Sequence, residues 1–88
     1  MPYGEQTKSI LIAEDNDLLL DLLANSFESF GWRVLKANNG LDGWNLFKRE
    51  SIDIVLTDIQ MPGLNGIELA RKIRNQSSKT KIALMSGA

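Results

Sequence analysis

The chain has 88 residues, a formal net charge of −1, and neither cysteine nor histidine. That length suits one small domain near the size where folding becomes marginal. The missing residue types exclude a disulfide frame, a thiol nucleophile, a Ser-His triad and His- or Cys-ligated zinc within it.

Residues 1–7 read as a flexible leader, without the basic and apolar regions of a signal peptide. Ser9-Ile10-Leu11-Ile12-Ala13 is a short run, apolar after its serine, the pattern of a central parallel strand covered on both faces. It ends in Glu14-Asp15-Asn16-Asp17, where Asn16 or Asp17 can cap the next helix by accepting a backbone N–H. That helix is expected from Asp17 to Phe30, with Leu19, Leu22, Leu23, Ser26, Phe27 and Phe30 on its buried face and Gly31 as a left-handed stop. Leu18 and Leu20 fall off this stripe, either as incidental surface leucines or as part of a docking surface.

Trp32–Ala37 alternates enough for a half-exposed strand at a sheet edge, and Asn38-Asn39-Gly40 turns into a helix from Gly40 to Arg49. Leu41, Trp44 and Phe47 are its expected apolar side, with Trp44 in the core. Gly43 costs about 1 kcal/mol against alanine inside a helix, which implies close packing there. Ile54-Val55-Leu56 is a third apolar strand, followed at once by Thr57 and Asp58. Pro62-Gly63 marks a turn, and Asn65-Gly66-Ile67-Glu68 opens a capped helix to Asn75 that buries Ile67, Leu69, Ala70 and Ile73. A polar loop over 76–80 leads to a fourth strand, Lys81–Met85, and then to Ser86-Gly87-Ala88.

Strands alternating with helices specify an α/β fold with a parallel sheet. A Rossmann-like and a flavodoxin-like doubly wound order compete. In the second, with strand order 2-1-3-4, the ends of strands one and three share a switch-point crevice that gathers Glu14, Asp15 and Asp58. The acidic residues therefore favour the flavodoxin-like sheet.

Three carboxylates in one crevice repel each other, at roughly 3 kcal/mol per pair for ~5 Å and an effective dielectric near 20. A proton or a cation relieves this. Oxygen-only ligands point to a hard ion, and Asp15, Asp58 and a backbone carbonyl suit Mg2+, which keeps waters and takes a phosphate. With the metal neutralising the incoming charge, a carboxylate can itself be the nucleophile toward a phosphoryl group. Ser86 either offers its hydroxyl to that group or is an ordinary strand-end serine. Taken singly, Asp15 could be a helix cap and Asp58 a turn residue; their joint placement at strand ends supports the functional reading.

The chain resembles a response-regulator receiver domain of two-component signalling. The resemblance covers about residues 8–88 and rests on four features: Glu14-Asp15 after the first strand, Asp58 after the third, the run Met61-Pro62-Gly63-Leu64-Asn65-Gly66, and Ser86-Gly87 after the fourth. It implies that Asp58 accepts a phosphoryl group from a sensor histidine kinase or a histidine phosphotransfer protein. It further implies that Asp15, Asp58 and the Gln60 backbone carbonyl hold Mg2+, with Glu14 acting through water. Ser86 would follow the phosphate, and Gln60 would tune dephosphorylation. The resemblance stops after the fourth strand, so the family's fourth helix, fifth strand and fifth helix have no counterpart, nor do its phosphate-pairing lysine and its switch aromatic. Such a chain is expected either to be a fragment of a longer protein or to self-associate through an exposed fourth-strand edge.

Three rivals are weighed against a phosphorelay receiver, which would not be an enzyme in the ordinary sense. A Mg2+-dependent aspartyl-phosphate phosphatase or phosphotransferase would want a second carboxylate two residues after its nucleophile, where Gln60 stands. A nucleotide- or flavin-binding domain would want a glycine-rich first loop in place of Ala13-Glu14-Asp15-Asn16. A degenerate receiver kept for protein contacts would not need the acidic triad. No nucleic-acid or membrane footprint is expected, because cations do not cluster and no apolar run spans a bilayer. A cytoplasmic location is the expectation.

Overall fold

The computed structural model describes residues 7–86. Four strands and three helices alternate within them: β1 (Ser9–Ala13), α1 (Asp17–Ser29), β2 (Arg33–Ala37), α2 (Gly40–Arg49), β3 (Ile54–Asp58), α3 (Gly66–Gln76) and β4 (Lys81–Met85). The strands are all parallel in the order β2-β1-β3-β4, the flavodoxin-like order expected from the acidic residues. Ala13 pairs with Ala37 and with Thr57, and Asp58 pairs with Met85, so the carboxyl ends of the strands finish level. The leader expected over 1–7 lies outside the described residues except for Thr7, which is half-buried.

Every residue of β1 is buried, because helices cover both of its faces. Leu11, Ala13, Ala37 and Val55 meet Leu69 and Ile73 of α3 on one side, with Trp44, Leu46 and Phe47 of α2 packed against them. Ile10 and Ile12 meet Leu20 of α1 on the other, with Leu23, Phe27 and Trp32 alongside. Each side of the sheet holds one tryptophan. Trp32 meets Phe27 edge-on at 5.7 Å, whereas Trp44 stacks on Phe47 at 6.1 Å beneath the ammonium groups of Lys48 and Lys72. Trp44 is thus half-buried at the rim of its layer.

Two expected helix faces are corrected. In α1 the buried positions are Leu20 and Ala24, flanked by half-buried Leu23 and Phe27, while Leu19, Leu22 and Phe30 are exposed. Leu20 is core, and Leu18 is the residue left at the surface. In α2, Leu41 is exposed and Leu46 takes the inward place. Three-residue steps turn a helix by about 300° each, so Leu41 drifts off the face that Trp44 and Phe47 share. The close packing expected at Gly43 is present: a Cβ there would stand 3.4–3.7 Å from Leu69, Ala13 and Ala37. Gly31 follows α1 at φ 87°, as a stop residue should. No helix among the described residues is long and apolar enough to cross a membrane.

Candidate functional site

Local hydrogen bonding fixes each acidic residue at the carboxyl edge of the sheet. The Glu14 N–H donates to the Ala37 carbonyl at 3.0 Å, carrying the β1–β2 ladder one residue past β1. The Glu14 carboxylate accepts the Asn16 N–H at 3.0 Å, and Asn16 Oδ1 in turn accepts the Leu19 N–H as the cap of α1. The loop therefore satisfies its own donors and leaves Asp15 at the surface. Asp58 closes β3. Its Oδ1 accepts a long bond from the Gln60 N–H at 3.4 Å, and the next amide, Ile59, donates to the Met85 carbonyl.

The segment from Ile59 to Asn65 turns back over this edge. Gly63 takes φ 73° in the turn after Pro62. Asn65 and Glu68 then form a reciprocal capping box at the start of α3, at 2.9 and 3.0 Å. Gly66 lies so close to the Asp58 carbonyl that any Cβ would overlap it, and Gly40 lies equally close to the Leu64 carbonyl. Both helix starts are thereby pressed against the loop.

Glu14, Asp15 and Asp58 each bring a carboxylate oxygen to within 4.8 Å of the others. Glu14 and Asp58 are buried and Asp15 is exposed, so the cluster has a sealed floor and an open side. A cleft of about 550 Å³, lined by Asp15, Ile59, Gln60, Met61, Pro62 and Asn65, adjoins it. Burial pushes the Glu14 carboxyl above the usual range. A hydrogen bond with Asp15 and the charges of Asp58 and Asp15 act in the same direction, against the Asn16 N–H. The ion pairs among the described residues, Arg33–Glu50 and Lys36–Asp21, lie elsewhere. Crowded carboxylates with a penalised charge, and no nitrogen or sulfur donor among them, fit a hard divalent cation.

The structure thus brings Glu14, Asp15 and Asp58 together, with Gln60 beside Asp58 and on the cleft wall. Ser86 is exposed one residue beyond Met85, the β4 partner of Asp58, and no hydrogen bond joins it to Asp58 among the described residues. Gly87 lies outside the described residues. Sequence reasoning took Asn65 as a cap and as part of the run after Asp58; in the structure it also lines the cleft. It read Gly40 as the end of a turn and the start of a helix, although Gly40 also supports the loop. The Asn-Gly pairs at 39–40 and 65–66 signal the caps, but no local pattern shows which loop they touch.

A family model described as the response regulator receiver domain matches residues 10–88. The chain is 40% identical over 76 residues to protein PilH of Pseudomonas aeruginosa, covering 86% of this chain and 63% of that one. It is 33% identical over 84 residues to the autoinducer 1 sensor kinase/phosphatase LuxN of Vibrio harveyi, covering 96% of this chain and 10% of that one. It spans 29% of the response regulator GtcR of Aneurinibacillus migulanus, so the first of these curated relatives are much longer than the matched region. Among solved structures, the response regulator protein TrrA from Thermotoga maritima, in complex with Mg2+ and BeF, superposes with a TM-score of 0.89. It is 32% identical, and the match covers 93% of this chain and 71% of that one.

Proposed function

The chain belongs to the response regulator receiver domain family, and from that premise we propose that it is a phospho-acceptor module of a two-component phosphorelay, taking a phosphoryl group on Asp58. The observation that carries this reading is the convergence of Glu14 and Asp15 on Asp58 at the level ends of neighbouring strands, beside an open cleft. Asp15, Asp58 and the Gln60 backbone carbonyl would hold Mg2+, with Glu14 acting through water. The ion, when bound, neutralises the carboxylates and the oxygens of the incoming group. The Mg2+ and BeF bound by TrrA, a relative of the same fold, support this assignment.

In the transfer, an Asp58 carboxylate oxygen forms a bond to phosphorus as the bond from phosphorus to the donor's imidazole nitrogen breaks. The imidazole, protonated on its other nitrogen, leaves as the neutral ring, and Asp58 becomes an acyl phosphate. Little covalent chemistry is asked of the surrounding residues, whose work is positioning and charge compensation. The Asn16 N–H steadies Glu14, and the Gln60 N–H steadies Asp58. The Ser86 hydroxyl would donate to a phosphoryl oxygen, and the Gln60 side chain on the cleft wall would limit the approach of water. The module is a stoichiometric acceptor rather than a turnover enzyme.

The donor on this reading is a sensor histidine kinase or a histidine phosphotransfer protein in the cytoplasm. Relatives with matching segments include sensor kinases, which supports the first. Among the described residues β4 has one neighbour in the sheet and exposes Lys81, Ala83 and Leu84, so self-association along it is part of the proposal. Sedimentation of the 88-residue chain at high concentration checks that point, and a monomer throughout removes it.

Incubation with Mg2+ and a small phosphodonor, followed by mass spectrometry, tests the main reading. A single base-labile phosphoryl adduct is expected, and Asp58→Ala is expected to abolish it. An adduct that survives Asp58→Ala, or none on the unaltered chain, overturns the assignment.

A further inference from the structure

Gly40 and Gly43 are both buried in α2, three residues apart, and neither has a positive φ. Their backbones are open to any residue, so what matters at each is the space a side chain would need. That space differs in kind. A Cβ at Gly43 would meet the side chains of Leu69, Ala13 and Ala37 at ordinary contact distances. A Cβ at Gly40 would overlap the backbone carbonyl of Leu64 and stand 3.0 Å from the Leu64 Cβ.

Leu64 belongs to the loop that follows Asp58, and that loop is secured at both ends. The Ile59 N–H donates to Met85, while Asn65 and Gly66 are held by the capping box and by the Ile59 carbonyl. Between them, buried Met61 anchors the loop from within and Gly40 supports it at Leu64. Gln60 adjoins Met61. We propose that Gly40 is a positioning residue for the metal site: its bare backbone lets the start of α2 seat against Leu64, which fixes the loop and with it the Gln60 carbonyl. The inference rests on the metal assignment made above and extends it to a residue that no metal would touch.

Gly40→Ala and Gly43→Ala in the 88-residue chain separate this role from helix packing. Mg2+ affinity is measured by isothermal titration calorimetry, and stability by urea unfolding without metal. Gly40→Ala is expected to weaken Mg2+ binding roughly ten- to hundredfold, the usual cost of disturbing groups that orient metal ligands. Gly43→Ala is expected to leave the affinity unchanged, whatever it does to the urea midpoint. If Gly40→Ala does not fold, Leu64→Ala keeps the backbone that Gly40 meets but removes the side chain that packs this point of the loop against the core, and must also weaken binding. Unchanged affinity in Gly40→Ala, or in Leu64→Ala where the first variant is unfolded, overturns the inference alone. So does an equal loss in Gly43→Ala. Failure of the unaltered chain to bind Mg2+ overturns the metal assignment and this inference together.

Discussion

The two ends of the sheet treat the same kind of side chain in opposite ways. At the amino end, the Asp53 carboxylate accepts the Ser9 N–H at 2.8 Å and the Ser9 hydroxyl at 3.1 Å. The Ser9 hydroxyl is also 2.8 Å from the Ser51 carbonyl, and the Asp53 carbonyl accepts from Lys81. These bonds, the Ser9 backbone N–H foremost, hold the Asp53 carboxyl below the usual range. At the carboxyl end, Glu14 and Asp58 are buried with one amide donor apiece and with each other's charge for company. Donors supplied by the chain make the first carboxylate a fastener between β1 and the residue that leads into β3, while the backbone of that residue holds β4. Their scarcity makes the second group a site, because its remaining lone pairs are available to a cation.

The largest expected effect lies at the fastened end. Asp53→Ala leaves the Ser9 amide without its acceptor in a buried position, and should cost about 1–3 kcal/mol in urea unfolding. Magnesium affinity should stay unchanged in this variant; a parallel loss of both would mean that the two ends are coupled. At the open end, Glu14→Gln removes a buried charge and should stabilise the metal-free chain by about 0.5–2 kcal/mol. The unaltered chain should gain stability on adding Mg2+, and this variant should gain less.

Acid distinguishes the ends by sign. The folded Asp53 carboxyl lies below its unfolded value, near 3.9. Its contribution is therefore whole above that value and vanishes as pH falls through the lower folded one. The folded Glu14 carboxyl lies above its unfolded value, so its penalty is complete above the raised folded value and is relieved as pH falls through it. Urea midpoints without metal should show Glu14→Gln converging on the unaltered chain first as pH drops, and Asp53→Ala converging only at lower pH. The smallest effect is expected at an ion pair that belongs to neither end. Arg33 and Glu50 are 2.7 Å apart but half-exposed, and Arg33→Ala should shift stability by less than about 1 kcal/mol.

The carboxyl end was far more legible in the sequence than the amino end. Glu14 and Asp15 come straight after one apolar run and Asp58 stands one residue beyond a second, so their placement at strand ends, and from it the strand order, could be argued before any coordinates. Asp53 sits one residue before such a run, where an aspartate is unremarked. Only the pairing of Ile10 with Ile54 puts Ser9 beside it. That Ser9 and Asp53 each stand just before a run of apolar residues was the one available clue. The buried face of α1 was missed for a different reason. Leucines at 18, 19, 20, 22 and 23 leave the phase of the helix undetermined, and the deciding position is Ala24, whose small side chain carries little hydropathy. Gly40 was illegible because its requirement comes from Leu64, twenty-four residues away in sequence, through a contact that leaves no periodic trace.

One indole on each side of the sheet gives the molecule two optical channels. Trp32, edge-on to Phe27, reports the α1 layer, and Trp44, beneath two ammonium groups, reports the layer of α2 and α3. Replacing either by phenylalanine leaves a single indole, so with excitation selective for tryptophan the melting of the two layers can be watched separately in otherwise the same chain. A sheet of four strands shared by both layers ties them into one cooperative unit, and the two emission curves should then superimpose.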